Sequence, residues 1–194
     1  HSITGTNIDL NGITYASDDG SITYSGAVAL AGAGPVTVDS DADGDATDGN
    51  IAFSSTIALD QGLTLDAGSG EITLAGAVDG ANALSLNAAG TTEINGTIGA
   101  GTPLASLMTD GAGTTQINGG LVTTTGDQSY NDSVTLGADG GGSPVQTTLS
   151  GNDMLFGAAL DAAAGGDPQQ LVVDTAGTPD GPAGEEANVT RFGG

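Results

Sequence analysis

The sequence predicts an all-β fold, a parallel β-solenoid with coils of about 21–23 residues, and three observations carry that expectation. Residues 49–69 (GNIAFSSTIALDQGLTLDAGS) and 70–90 (GEITLAGAVDGANALSLNAAG) align over 21 residues without a gap. The alignment sets Gly49 on Gly70, Ile51 on Ile72, Phe53 on Leu74, Ile57 on Val78, Leu63 on Leu84 and Leu65 on Leu86. Within each unit the apolar residues alternate with polar ones, as in Ile72-Thr73-Leu74 and Leu84-Ser85-Leu86. That is the period of a strand, and no helical stripe of useful length competes with it. Clusters of Gly, Asn, Asp and Ser separate the runs, as turns require. Strands of three to five residues do not form a stable sheet alone. Stacked coil on coil, they do.

Taken along the chain, NIDLNGI at 7–13 is a first, weak echo of the unit. GSITYSGAV at 20–28 with VTV at 36–38 is a full one. GTTEINGTI at 90–98 and GTTQINGGL at 113–121 repeat each other 23 residues apart, pairing Thr91, Thr92 and Asn95 with Thr114, Thr115 and Asn118 in expected polar ladders. NDMLFGAAL at 152–160 and LVV at 171–173 are further echoes, and the closing NVTRFGG at 188–194 looks like the opening of another unit. Residues 1–194 therefore form a single solenoid domain. Aliphatic side chains point inward and glycines take the corners, where a positive φ is expected. About nine coils at ~4.8 Å each make a rod of roughly 40–45 Å. Three stretches break the pattern and are expected to leave the coil: 39–50, 137–148 and 174–187, the last within a Pro-containing region at 161–187.

Composition excludes several functions. The 194 residues include 35 Gly, 24 acidic residues, one Arg (Arg191), one His and no Lys, for a formal charge of −23. Nucleic-acid binding requires cations to displace counterions from phosphates, so no nucleic-acid partner is expected. Anionic lipid surfaces repel such a chain, and no run of about 20 apolar residues would insert into a membrane. With no Cys, disulfide scaffolds and Cys-ligated metal sites are excluded. A first residue of His rather than Met suggests a processed chain or an excerpt of a longer one.

The segment TPLASLMTDGAGTTQINGGLVTTTGDQSYNDSVTLGAD at 102–139 resembles the repeat text of giant bacterial surface proteins of the filamentous-haemagglutinin and autotransporter-adhesin type. GEITLAGAVDGANALSLNAAG and NVTRFGG are similar to the same repeats, so the resemblance covers most of 20–194 in repeat style. It implies a right-handed parallel β-helix, outer-membrane export, a secreted or bacterial cell-surface location, and a role in adhesion or surface fibres. Those repeats have no invariant functional residues, so the resemblance implies no site.

The sharpest local motif is Asp39-Ser-Asp41-Ala-Asp43-Gly44-Asp45-Ala-Thr47-Asp48-Gly-Asn50. Oxygen ligands at alternate positions with Gly at the sixth match the first half of an EF-hand-like loop. Calcium needs six to eight hard oxygen donors, and close carboxylates repel one another without a cation. Asp39, Asp41, Asp43, Asp45 and Asp48 are the candidate Ca²⁺ ligands. Position 12 is Asn50 instead of a bidentate Glu, and no helices flank the loop; the alternative is a solvated acidic loop. Ser150-Gly151-Asn152-Asp153-Met154-Leu155-Phe156-Gly157 resembles a single copy of a calcium-binding nonapeptide whose sites need tandem copies; a turn leading into a buried Met/Phe strand is the simpler reading.

Catalysis is not expected. A polyuronate lyase needs a cationic base and charge stabilisation, while this chain carries one Arg and a field that repels such substrates. Paired carboxylates of a hydrolase have no aromatic platform beside them, and Asp falls mainly in turn phrases such as Val78-Asp79-Gly80. Thr123-Thr124-Thr125 is not the regular array that ice binding requires. The expected function is structural: an adhesin shaft or extracellular fibre, self-associating head to tail or laterally. The alternative is a calcium-dependent module that recognises glycans or a cell-surface partner.

Overall fold

The computed structural model of the chain describes residues 1–44, 47–137, 145–163, 169–175 and 190–192. Among these, all regular elements are strands and all strand pairs are parallel. The fold is a β-solenoid with three faces to each coil. The first face stacks residues 2–4, 22–24, Ile51–Phe53, Ile72–Leu74, Thr91–Ile94, Thr114–Ile117, Ser133–Leu136 and Leu160–Ala162. The second stacks residues 7–9, 27–29, Ile57–Ala58, Val78–Asp79, Ile98, Leu121–Thr123, Val145–Ser150 and Gln169–Asp174. The third runs from Thr14–Ala16 through Val36–Asp39, Leu63–Asp66, Ala83–Asn87, Ser106–Thr109, Gln128–Tyr130 and Met154–Phe156 to Thr190–Phe192. At the first coils, Ser2–Asp9 and Ile22–Ala29 turn the corner between faces one and two as continuous strands.

The register reproduces the repeat alignment. Ile51 pairs with Ile72, Phe53 with Leu74, Ile57 with Val78, Leu63 with Leu84 and Leu65 with Leu86. Because side chains alternate across a strand, each in-register pair puts apolar groups on top of one another inside the coil. One inward column reads Val36, Leu63, Leu84, Leu107, all at 2% exposure or less. Another reads Ile8, Val28, Ile57, Val78, Ile98, Val122, Leu149. Stacking aligns aromatics as well: the Tyr24 and Phe53 rings lie 4.6 Å apart at 16°, and Tyr130 and Phe156 lie 5.4 Å apart at 10°. The expected Asn ladder forms through Asn118 Nδ2 donating to Asn95 Oδ1 at 2.7 Å.

Four features differ from the sequence expectation. Among the described residues the third face is eight strands deep, or seven steps of ~4.8 Å and roughly 34 Å, against an expected nine or so coils. Coils are longer than 21 residues wherever the chain makes an excursion, as between Met154 and its partner Thr190. NVTRFGG does not open a unit: Thr190–Phe192 pairs with Met154–Phe156 on the face that closes a coil. Within 137–148, residues 145–148 belong to strand Val145–Ser150, whose Thr147 and Leu149 point inward; 138–144 lie outside the described residues, as do 176–187 of the last excursion.

The fourth difference is chemical. The core becomes partly polar below the fourth coil, because Thr92, Thr109, Thr115, Thr124 and Gln128 take inward positions that Ile, Leu and Val hold above. Gln128 satisfies itself there: Nε2 donates to Ser150 O at 2.8 Å, and Oε1 accepts the Tyr130 hydroxyl at 2.9 Å. A buried polar group costs stability unless it is bonded. Here it is.

Candidate metal centre

The acidic motif occupies the corner between faces three and one. Asp39 ends strand Val36–Asp39, paired with Asp66 one coil below. The chain then leaves the coil and returns at Gly49. Buried Ser40 pins both ends of this excursion: its N–H donates to Asp66 O at 2.9 Å, and its hydroxyl donates to Gly49 O at 2.7 Å. The excursion is folded down on the next coil, where Ser69 N–H donates to Asp48 Oδ2 at 2.6 Å and Asp48 N–H donates to Ser69 Oγ at 3.2 Å.

This arrangement gathers Asp41, Asp43 and Asp48, each of which offers a carboxylate oxygen within 4.8 Å of the others. Asp39 has a different task, since its Oδ1 accepts the Asp41 N–H at 2.9 Å and shapes the turn. Asp45 lies outside the described residues. Asn50 reaches the next coil, accepting the Glu71 N–H on Oδ1 at 3.0 Å. The alternate spacing of the motif thus does not decide which acids meet. The bond from Ser69 does, by swinging Asp48 toward Asp41.

Two groups escaped the reading of the motif, Gly68 and Asp66. Gly68 has φ +48° and lies against the carboxylates of Asp41 and Asp48, where any Cβ would strike them. Asp66 adds negative charge beside Asp41. Both were findable, because VTVDSD at 36–41 aligns with LTLDAG at 63–68.

The donor set fits a hard cation. Asp41 Oδ1 and Asp48 Oδ1 are both shut off from solvent without a hydrogen-bond donor. An anionic oxygen in that position is costly unless a donor or a positive charge meets it. Burial, followed by contact with Asp48 and the charges of Asp66 and Asp39, pushes the Asp41 carboxyl above the usual range. The Ser69 backbone N–H holds Asp48 below it. Without a cation the two acids therefore titrate as a coupled pair, and Asp41 is the one that favours the proton. Ca²⁺ would replace that proton, taking oxygens from Asp41, Asp43 and Asp48 and completing its shell with water.

A second carboxylate sits deeper. Asp132 is 3% exposed, and it accepts the Thr109 and Thr115 hydroxyls at 2.7 Å each, on its two oxygens. Burial pushes its pKa up, the two hydroxyl bonds pull it partly back, and Asp110 adds to the rise. A folded-state pKa above the unfolded value means that the native state favours the proton. The stability so gained is complete below the ordinary carboxylate range and is lost as pH rises through the folded value. Asp132→Asn keeps an acceptor for one Thr and offers N–H to the other, whose hydroxyl can turn to accept it. The variant is expected to be at least as stable as the parent at pH 7, with its advantage shrinking toward pH 4. Urea midpoints at the two pH values check this; an advantage that grew on acidification would contradict it.

Comparison of the chain with protein-family models, with curated proteins and with solved structures finds no match.

Proposed function

We propose that this chain is a structural element of a bacterial cell surface, the stiff shaft of an adhesin or a surface fibre, without chemistry of its own. The observation that carries this reading is the continuity of the stack. On all three faces the described coils bury their inward side chains on the coils before them, so the sequence is spent on length along one axis. The repeat style resembles that of filamentous-haemagglutinin and autotransporter-type adhesins, which supports an extracellular setting. A surface with a formal charge of −23 and no Lys supports a hydrated, anionic exterior.

Among the described residues, the first and last strands of each face carry N–H and C=O groups with no strand beyond them. Parallel coils continue from such edges, either within one polypeptide or by head-to-tail stacking of a second copy. A heterologous contact of the second kind propagates into filaments. Electron microscopy of the native material is expected to show rods or fibres on the cell surface. Native protein found as isolated particles away from the surface would overturn the shaft reading, and a monodisperse 194-residue monomer at high concentration would overturn head-to-tail assembly.

A second reading is favoured by the convergence of Asp41, Asp43 and Asp48: a calcium-dependent module that meets glycans or a cell-surface partner. Its signature is loss of partner binding in chelator. Binding that survived both chelator and Asp41→Asn would remove it.

A further inference from the structure

The second face carries a groove unrelated to the acidic corner. Ala27, Ala29 and Ala58 form its floor, bordered by Val28 and Ile57 whose side chains turn inward; its volume is ≈ 530 Å³, and Asn7, Asp9, Thr56 and Asp79 stand around it. The register explains its shape. Asp9 pairs with Ala29, Ala29 with Ala58, and Ala58 with Asp79, so these four residues form one outward column along the rod. Their inward neighbours Ile8, Val28, Ile57 and Val78 are buried, which fixes the orientation of the column. Two methyl-sized residues on consecutive coils make a trough, and a carboxylate closes each end.

Three coil steps of ~4.8 Å separate Asp9 from Asp79, roughly 14 Å along the axis. Asp79 is held in place, because its Oδ1 accepts the N–H groups of Gly101 at 2.6 Å and Thr102 at 3.1 Å. Asp9 is exposed, and its column holds no cation. The chain's single Arg lies on the last strand of the third face, and the chain has no Lys.

We propose that this groove binds a linear aliphatic polyamine lying along the rod axis, with one terminal ammonium at Asp9 and the other at Asp79. Charge-assisted N–H···O bonds hold the ends. The methylene chain covers the alanines, which removes apolar surface from water. Asn7 and Thr56 offer acceptors along one side to an internal amine. A saturated chain of about eight to ten atoms between nitrogens matches the span, given bonds of ~1.5 Å at tetrahedral angles. The proposal goes beyond the shaft reading and does not rest on it.

The test is calorimetric titration of the full chain at fixed ionic strength with α,ω-diamines from 1,4-diaminobutane to 1,12-diaminododecane, and with spermine. Affinity is expected to rise to a maximum at about eight to ten methylenes. Asp9→Asn and Asp79→Asn should each lower it by about three- to fivefold at the optimal length, the weight of one exposed ion pair. In Asp79→Asn the amide oxygen would still accept both loop N–H groups, so the fold is retained. Ala58→Leu, at an exposed position, fills the trough and should remove the length optimum while leaving the charges in place. Equal affinity for all lengths, unchanged in the two amide variants, would show only screening of an acidic rod and would overturn the proposal. Capture of an oligolysine peptide through Asp9 and Asp79, with no diamine binding, would overturn it in favour of a basic peptide partner.

Discussion

Gly70→Ala is expected to cost about 3 kcal/mol or more, a large part of the ~5–15 kcal/mol that stabilises a domain. The reason is spacing between coils. Gly49, Gly70, Gly90 and Gly113 stack at the corner between faces three and one, and a Cβ on Gly70 would meet the Gly49 carbonyl well under 3.0 Å. Gly90 faces the Gly70 carbonyl and Gly113 the Gly90 carbonyl in the same way. A second ladder, Gly76, Gly96 and Gly119, stands at the corner between faces one and two. Backbone cannot yield there without parting the strands on both sides of the corner. Gly111→Ala is the control, since nothing lies within 4 Å of its Cβ position and its φ is not left-handed. It should be neutral or stabilise by about 0.4–1 kcal/mol. Denaturant midpoints compare the two variants, and equal stabilities would refute the ladder as a spacing device.

Calcium should produce the second large effect. At a hundredfold excess over its dissociation constant, a cation that binds only the folded chain is expected to raise Tm by roughly 5–10 °C. Asp41→Asn and Asp48→Asn should abolish that response. In chelator the sign reverses: Asp41→Asn removes one of several carboxylates crowded together, so the calcium-free variant should melt above the calcium-free parent. The proton that Asp41 favours competes with the ion. The calcium response should therefore fade at a higher pH than at a site of ordinary carboxylates. Mg²⁺, which demands a tighter octahedral shell and sheds water reluctantly, should do less. Thermal melts in chelator, Ca²⁺ and Mg²⁺ from pH 4 to 7 check all three points. A parent whose Tm ignored millimolar Ca²⁺ would end the metal reading.

The two results draw differently on what a linear chain makes visible. The glycine ladders lie in plain sight, Gly49 on Gly70 within the 21-residue repeat, and Gly90 and Gly113 opening GTTEING and GTTQING. Their cause was less visible. Tight corners suggested left-handed backbone, yet among the seven ladder glycines only Gly113 has a left-handed φ. The others are glycine because another backbone passes where a side chain would go. The polar stretch of the core was half visible too. Thr92 and Thr115 align with Ile72 and so must point inward, but only the folded coil shows that Thr115 spends its hydroxyl on Asp132, 17 residues away.

The sequence by itself determined the parallel stack, its register and its inward columns. Period-two alternation repeated every 21 residues leaves one arrangement in which all the apolar groups are buried together. The tertiary structure alone decided which acids meet. Among the described residues Asp falls mainly in turns and outer columns, and nothing local marks the few that act in concert. Asp48 reaches Asp41 because Ser69, one coil later, pulls it there. Asp132 is buried because Thr109 and Thr115 converge on it from different faces. Asp9 and Asp79 frame one groove because three coils of stacking bring residues 70 positions apart onto a single column. Burial follows from periodicity. Proximity between charges follows only from the pitch and corners of the folded coil.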